Sequence, residues 1–335
     1  MSHASITSVT FDGVPAMELR AGGYRAVIAH GVGSNVVELS RPAEGLNFLR
    51  TPENGEILRQ KSQRYGIPPL FPPNRILDGK FSTPYRQYDL PLNSSDGLHF
   101  MHGILHKRPW KVKSERILDN GSAELVLLME MGREGEMYPY FPHEFTYELT
   151  YTLSERGLEQ QVRITNLSSE PMPLGVGFHT ALRVPFADGG REEDYRLAIS
   201  VGKEWDLTLL FVSTGKQLPL DEADKPLRGE GIAPTGAPYA KHFTSSPMER
   251  SGKPFYGSVL TDTKRNISLV YETDPKYGHW TVWNDDGKSG FICPEPQTWT
   301  NNAPNVPLPD EMTGFQLLEP GRSWSAWTRM YAEIG

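Results

Sequence analysis

The chain has 335 residues, and its 34 basic and 41 acidic side chains leave a net charge of −7, which offers no general attraction to nucleic acid or an anionic membrane. Its 32 glycines and 28 prolines exceed the usual ~12% share but stay below the ~25–30% of low-complexity chains, so they read as tight turns in a folded protein. A single cysteine, Cys293, excludes a disulfide framework and any multi-cysteine zinc site. The first residues lack the basic and apolar regions of a secretory signal, and no apolar run approaches ~18 residues. A cytoplasmic protein without a membrane partner is therefore expected.

Along the chain, Val9 to Phe11 runs into Asp12-Gly13, a hairpin signature because Gly accepts the positive φ of a two-residue turn. Residues 53–62 are the best short helix candidate. In residues 65–81, four prolines within 68–73 fix the backbone and remove amide donors, giving a rigid loop that delivers Asn74 and Arg75. A guanidinium fork on such a support suits the hydroxyls or carboxylates of a ligand, or caps loop carbonyls. Residues 98–110 bring His99, His102 and His106 close together. Spacings of three and four would align metal ligands on a helix, but Gly103 and Pro109 oppose a helix there, and no metal is expected. A single functional imidazole, His102 beside Gly103, is the reading preferred.

From Phe145 to Leu153 the odd positions are apolar or aromatic and the even ones polar, a half-buried strand. A short turn at 154–157 and renewed alternation over 158–165 make it one arm of a hairpin. His179 lies in a mostly apolar stretch, 175–186, where a histidine is either a hydrogen-bonded core residue or a catalytic one. Residues 267–271 are β-rich, and 280–283 lead through Asp285-Asp286-Gly287 to Phe291-Ile292, another hairpin. In 291–305, Glu295 stands between Pro294 and Pro296 and is held extended. It is either a base with a fixed direction or a surface turn residue. Trp299 offers a flat face of the kind that packs on sugar rings. No fixed-period repeat appears. One large antiparallel β domain over 1–335 is the economical expectation.

Four motifs in order make a pattern. They are Gly66-x-Pro68-x-x-x-Pro72-x-Asn74-Arg75-Ile76-x-x-Gly79-x-Phe81, then His102-Gly103 ahead of Pro109-Trp110, then Gly177-Phe178-His179, then Glu295-Pro296 with Asn302-Ala303-Pro304-Asn305 downstream. Their order and spacing resemble the aldose 1-epimerase (galactose mutarotase) family over nearly the whole chain. Leu317-Leu318-Glu319-Pro320-Gly321, ahead of the last aromatic strand, is similar to a family turn. The resemblance implies a large, twisted antiparallel β-sandwich with a sugar-binding groove on one sheet. It implies His179 as general acid and Glu295 as general base, with His102 and Arg75 orienting the sugar, and no cofactor. Anomer exchange removes a proton from the C1 hydroxyl while donating one to the ring oxygen, and an imidazole and a carboxylate suit that work. The implied partner is a small-molecule sugar, met by a monomer or homodimer.

Two departures bear on the substrate. Many members have His-Pro-Tyr-Phe where this chain has His179-Thr180-Ala181-Leu182, a version similar to the hexose-6-phosphate mutarotase branch. Members also carry a sugar-contacting aspartate where this chain has Ala240-Lys241-His242-Phe243. Lys241 and His242, with nearby arginines such as Arg183, would favour an anionic sugar, phosphorylated or sulfonated. A carbohydrate-binding protein that keeps the groove without turnover is the alternative from another class.

Overall fold

A computed structural model describes residues 4–335. Two eight-stranded sheets carry the architecture. The first runs, in spatial order, Lys111–Ile117, Ala123–Met131, Phe145–Ser154, Gly157–Asn166, Ser323–Ile334, Ile267–Thr273, Gly257–Asp262 and Tyr195–Ile199. The second runs Ser213–Leu218, Val201–Leu207, Ala240–Ser245, His279–Trp283, Phe291–Gln297, Gly177–Phe178 and Pro69–Leu70, with Leu182–Arg183 also pairing Phe291–Gln297. All of these pairings are antiparallel. A five-stranded sheet from Ser5 to Asn47 completes the N-terminal part. This is an all-β antiparallel architecture of the kind implied by the motifs.

The local readings translate directly. Phe145–Ser154 buries every odd position and half-buries the even ones, and its hairpin partner is Gly157–Asn166 across the turn at 155–156. Phe11 pairs Val14 across Asp12 and Gly13, whose φ values of 42° and 76° are those of a two-residue turn twisted to match its strands. The helix candidate at 53–62 forms as Gly55–Lys61, because the Asn54 side chain accepts a hydrogen bond from the Ile57 amide and caps it. No helix among the described residues is long and apolar enough to cross a membrane.

One hydrophobic cluster takes side chains from both large sheets, among them Tyr147, Leu149 and Tyr271 from the first and Phe243, Trp280, Val282 and Ile292 from the second. Strand periodicity then fixes the rest. If Phe243, Trp280, Val282 and Ile292 face inward, their neighbours His242, Thr281 and Cys293, and with them Glu295, face outward. That outer face is where the candidate acid and base meet.

Candidate active site

The site is built on one row of the second sheet. Register pairs His242 with Thr281 and Thr281 with Glu295. On the other side of Glu295, Gly177 pairs Gln297 and Leu182 pairs Ile292, and this same register carries His179 to a place directly opposite Glu295. Between those two short pairings the ladder is interrupted. A pairing at His179 and Glu295 would need an amide from residue 296, and Pro296 has none. In a strand, alternate amides point to opposite neighbours, so Pro294 and Pro296 remove donors only on the His179 side and leave the pairing with His279–Trp283 intact. This is how a central strand tolerates two prolines. Opposed residues of this kind bring their side chains close, and His179 Nε2 lies 3.3 Å from Glu295 Oε1.

The rigid loop closes the site from outside. Asn74 donates from Nδ2 to Thr281 Oγ1 at 2.9 Å and to Gln297 Oε1 at 3.1 Å, tying the loop to the row below. Gln297 in turn donates to Glu295 Oε2 at 3.2 Å. Arg75 opens the strand Arg75–Leu77, paired with His99–Met101, and its guanidinium reaches Asn74 Oδ1 at 3.3 Å. Asn74 and His102 both take left-handed backbone, φ 58° and 61°, and the His102 amide donates to the Asn74 carbonyl at 2.8 Å. Two non-glycine residues held there mark stored strain at a site. The glycine after His102 is obligatory, since a Cβ at Gly103 would lie 2.1 Å from the Phe71 carbonyl oxygen. The His102 ring stands edge-on to His179, 5.2 Å between centroids.

These groups line a cavity of about 340 Å³, together with Arg64, Trp283, Phe211, Asn301 and Asp285. A larger, more open groove of about 1030 Å³ runs past His279 and Trp324, but it contains neither His179 nor Glu295. Burial sets the proton affinities in the cavity. It pushes the Glu295 carboxyl well above the usual carboxylate range, against the pull of Arg75 and of the Gln297 hydrogen bond. It also pushes His179 down to about 3, helped by the positive fields of His106, Arg64 and Arg75. His102 is driven well below its ordinary value by burial and then by His179 and His106. Burial thus favours the uncharged form of each group.

His179, Glu295, His102, Asn74, Arg75 and His242 are brought together, while Trp299 and Lys241 are engaged elsewhere. Trp299 is 1% exposed and sits in the core, where its ring stacks over Gly175 and its Nε1 donates to the Leu174 carbonyl at 2.7 Å. The aromatic surfaces at the cavity belong to Trp283 and Phe211. Lys241 borders the cavity, yet it follows the strand period to the face opposite His242. Its Nζ is held by Asp224 at 2.5 Å, Asp221 at 2.9 Å and Glu204 at 3.1 Å, so its charge is spent on carboxylates. Arg183 is exposed and outside the cavity. His242 lends its Nδ1 to Thr281 Oγ1 at 2.9 Å, and its Nε2 has no protein partner. Among the described residues the one cluster of three acidic, histidine or cysteine side chains able to converge on a cation is Glu204, Asp221 and Asp224, the cluster that Lys241 occupies. The three histidines of 99–106 do not converge: His99 turns to Asp96, and His106 Nδ1 to the His102 carbonyl.

A sequence model of aldose 1-epimerase matches residues 15–331. The chain belongs to the aldose 1-epimerase family. Membership makes it an isomerase of that type. Its backbone superposes on a galactose mutarotase-like protein from Clostridium acetobutylicum with a TM-score of 0.97, at 35% identity and 99% coverage of both chains. The chain is also 25% identical over 255 residues to the LacX protein of Lactococcus lactis, covering 75% of this chain and 80% of that one. It is 23% identical over 271 residues to rat galactose mutarotase, covering 76% of this chain and 75% of the relative.

Three residues at the cavity or hydrogen-bonded to its lining escaped the sequence reading. Gln297 lies two positions beyond Glu295 and so shares its face, a relation visible once 291–297 is read as a strand. Thr281 and Phe211 come from other strands and loops, and only register places them.

Proposed function

We propose that this aldose 1-epimerase interconverts the α and β anomers of an uncharged hexose, with Glu295 as base and His179 as acid. The observation that carries the reading is the buried His179–Glu295 contact of 3.3 Å between opposed residues of neighbouring strands. The reacting form has Glu295 ionised, which Arg75 favours, and His179 protonated. Glu295 then takes the O1 proton as the C1–O5 bond breaks and C1=O1 forms, and His179 gives its proton to O5. The open aldehyde is thus accompanied by a protonated carboxyl and a neutral imidazole, the state that burial already prefers. Rotation about C1–C2 and the same transfers in reverse close the other anomer, with no net proton change. His102, Arg75 and His242 orient hydroxyls around this pair.

The pairing of two cations beside the cavity supports an uncharged sugar. Lys241 is matched by three carboxylates and Arg64 by Asp285 at 2.9 Å. NMR exchange between anomers, across glucose, galactose and their phosphorylated and sulfonated derivatives, tests the assignment. The expected result is exchange of neutral hexoses in the wild type and a loss of about 10²–10⁴-fold in His179→Ala and Glu295→Gln. Retention of near-full exchange by either variant removes that residue from the chemistry.

A further inference from the structure

Asn301 lies six residues beyond Glu295, lines the same cavity and is 2% exposed. Its Nδ2 donates to the Phe211 carbonyl at 3.0 Å, while its buried Oδ1 has no partner. An unpaired acceptor at the wall of a sugar-sized cavity is costly unless a ligand satisfies it. Phe211 stands at the tip of the hairpin formed by Val201–Leu207 and Ser213–Leu218. Its φ of 57° is left-handed, unusual for so bulky a residue. The tip is shaped from within by the Phe211 amide on the Thr208 carbonyl and the Thr208 amide on the Val212 carbonyl, each 2.9 Å, and pinned from without by Asn301. Phe211 is 47% exposed, lines the cavity and has the Arg75 guanidinium 5.3 Å from its ring centroid. The ring is thus held at the cavity wall over the Arg75 guanidinium, with part of its surface open to a ligand.

We infer that Asn301 and Phe211 are one specificity element, in which Asn301 Oδ1 accepts a hydrogen bond from a sugar hydroxyl and Phe211 lays its ring against the sugar. The inference rests on the reading of the cavity as a hexose site. Asn301 couples the two halves: the amide that pins the hairpin tip also fixes the direction of its own carbonyl. Neither residue touches the reacting C1–O5 bond in this scheme, so the effect falls on binding and on discrimination between sugars.

The test measures hexose affinity by NMR titration and anomer exchange separately, in the wild type, Asn301→Ala, Phe211→Ala and Phe211→Trp, over glucose, galactose and their monodeoxy analogues. Phe211→Ala and Asn301→Ala are expected to weaken hexose binding about tenfold and raise KM in step, with kcat changed less than about threefold. Phe211→Trp restores affinity. The wild type is expected to disfavour one monodeoxy analogue, and Asn301→Ala to bind it and its parent sugar equally. A merely structural role would not move that ratio. Wild-type affinity and wild-type ratios in both alanine variants overturn the inference. A wild type that binds hexoses without exchanging anomers refutes the acid–base reading, while the binding ratios still decide on Asn301 and Phe211. A wild type that binds none of the panel overturns both.

Discussion

Replacing Glu295 with glutamine should make the protein more stable as it makes it inactive. The carboxyl has an unfolded value of 4.5 and is held well above it in the fold, chiefly by burial. Above pH 4.5 the unfolded chain releases this proton and the folded chain keeps it, so the wild type loses about 1.4 kcal/mol per pH unit until the folded group also ionises. Glutamine has no proton to lose. It can still accept from Gln297, which now donates at 3.2 Å, and its amide can donate to a neutral His179 at the present 3.3 Å separation. The expected gain is about 1–3 kcal/mol at pH 7, shrinking to nothing as the pH falls to 4.5. His179, whose folded value is lowered to about 3, costs stability below pH 6.5 in both proteins and cancels to first order. Urea denaturation of wild type and variant between pH 4.5 and 8 reads the difference directly. A variant no more stable at pH 7, or a gap that does not change with pH, would refute the argument that burial holds this proton.

Lys241→Met leaves Asp224, 1% exposed, beside Glu204 and Asp221 without their cation, and should cost about 2–4 kcal/mol by denaturation. The same variant should keep the wild-type ratio of rates on charged and neutral hexoses, and a changed ratio would return Lys241 to the substrate. Arg75→Met removes the one nearby cation that favours the Glu295 carboxylate, so the pH–rate profile should move toward higher pH and KM should rise; an unmoved profile assigns Arg75 to binding alone. Exchange should persist through exhaustive chelation, because every step proposed is a proton transfer between side chain and sugar; loss on chelation with recovery on adding a divalent ion would contradict that.

The strands were legible where neighbours in sequence decide them. Alternation over Phe145–Ser154 and the Asp12-Gly13 turn depend on residues a few positions apart, and both survive in the fold. The candidate acid and base were legible through short motifs, but their meeting was not, since it depends on register between segments more than a hundred residues apart. Trp299 shows the limit of reading a residue by its chemistry. A tryptophan four positions from the base carries a sugar-packing surface, yet its place inside or outside the core depends on the chain beyond Gln297, and the ring turned inward over Gly175. Lys241 shows the opposite limit: strand period alone separates it from His242, but its three carboxylate partners lie 17 to 37 positions upstream and give no local sign.

The two prolines beside Glu295 also have a mechanical consequence. In the proposed scheme Glu295 and His179 take separate sugar oxygens, and a substrate seated between them would lengthen the resting contact of 3.3 Å. In an ordinary pair of strands such widening would break backbone hydrogen bonds along the seam. Here the seam is unstitched at the His179 row, while the opposite side of the same strand remains fully paired to His279–Trp283. The sheet thus has a soft joint along one line and stays stiff elsewhere. It can yield between acid and base while their outer neighbours hold them in register.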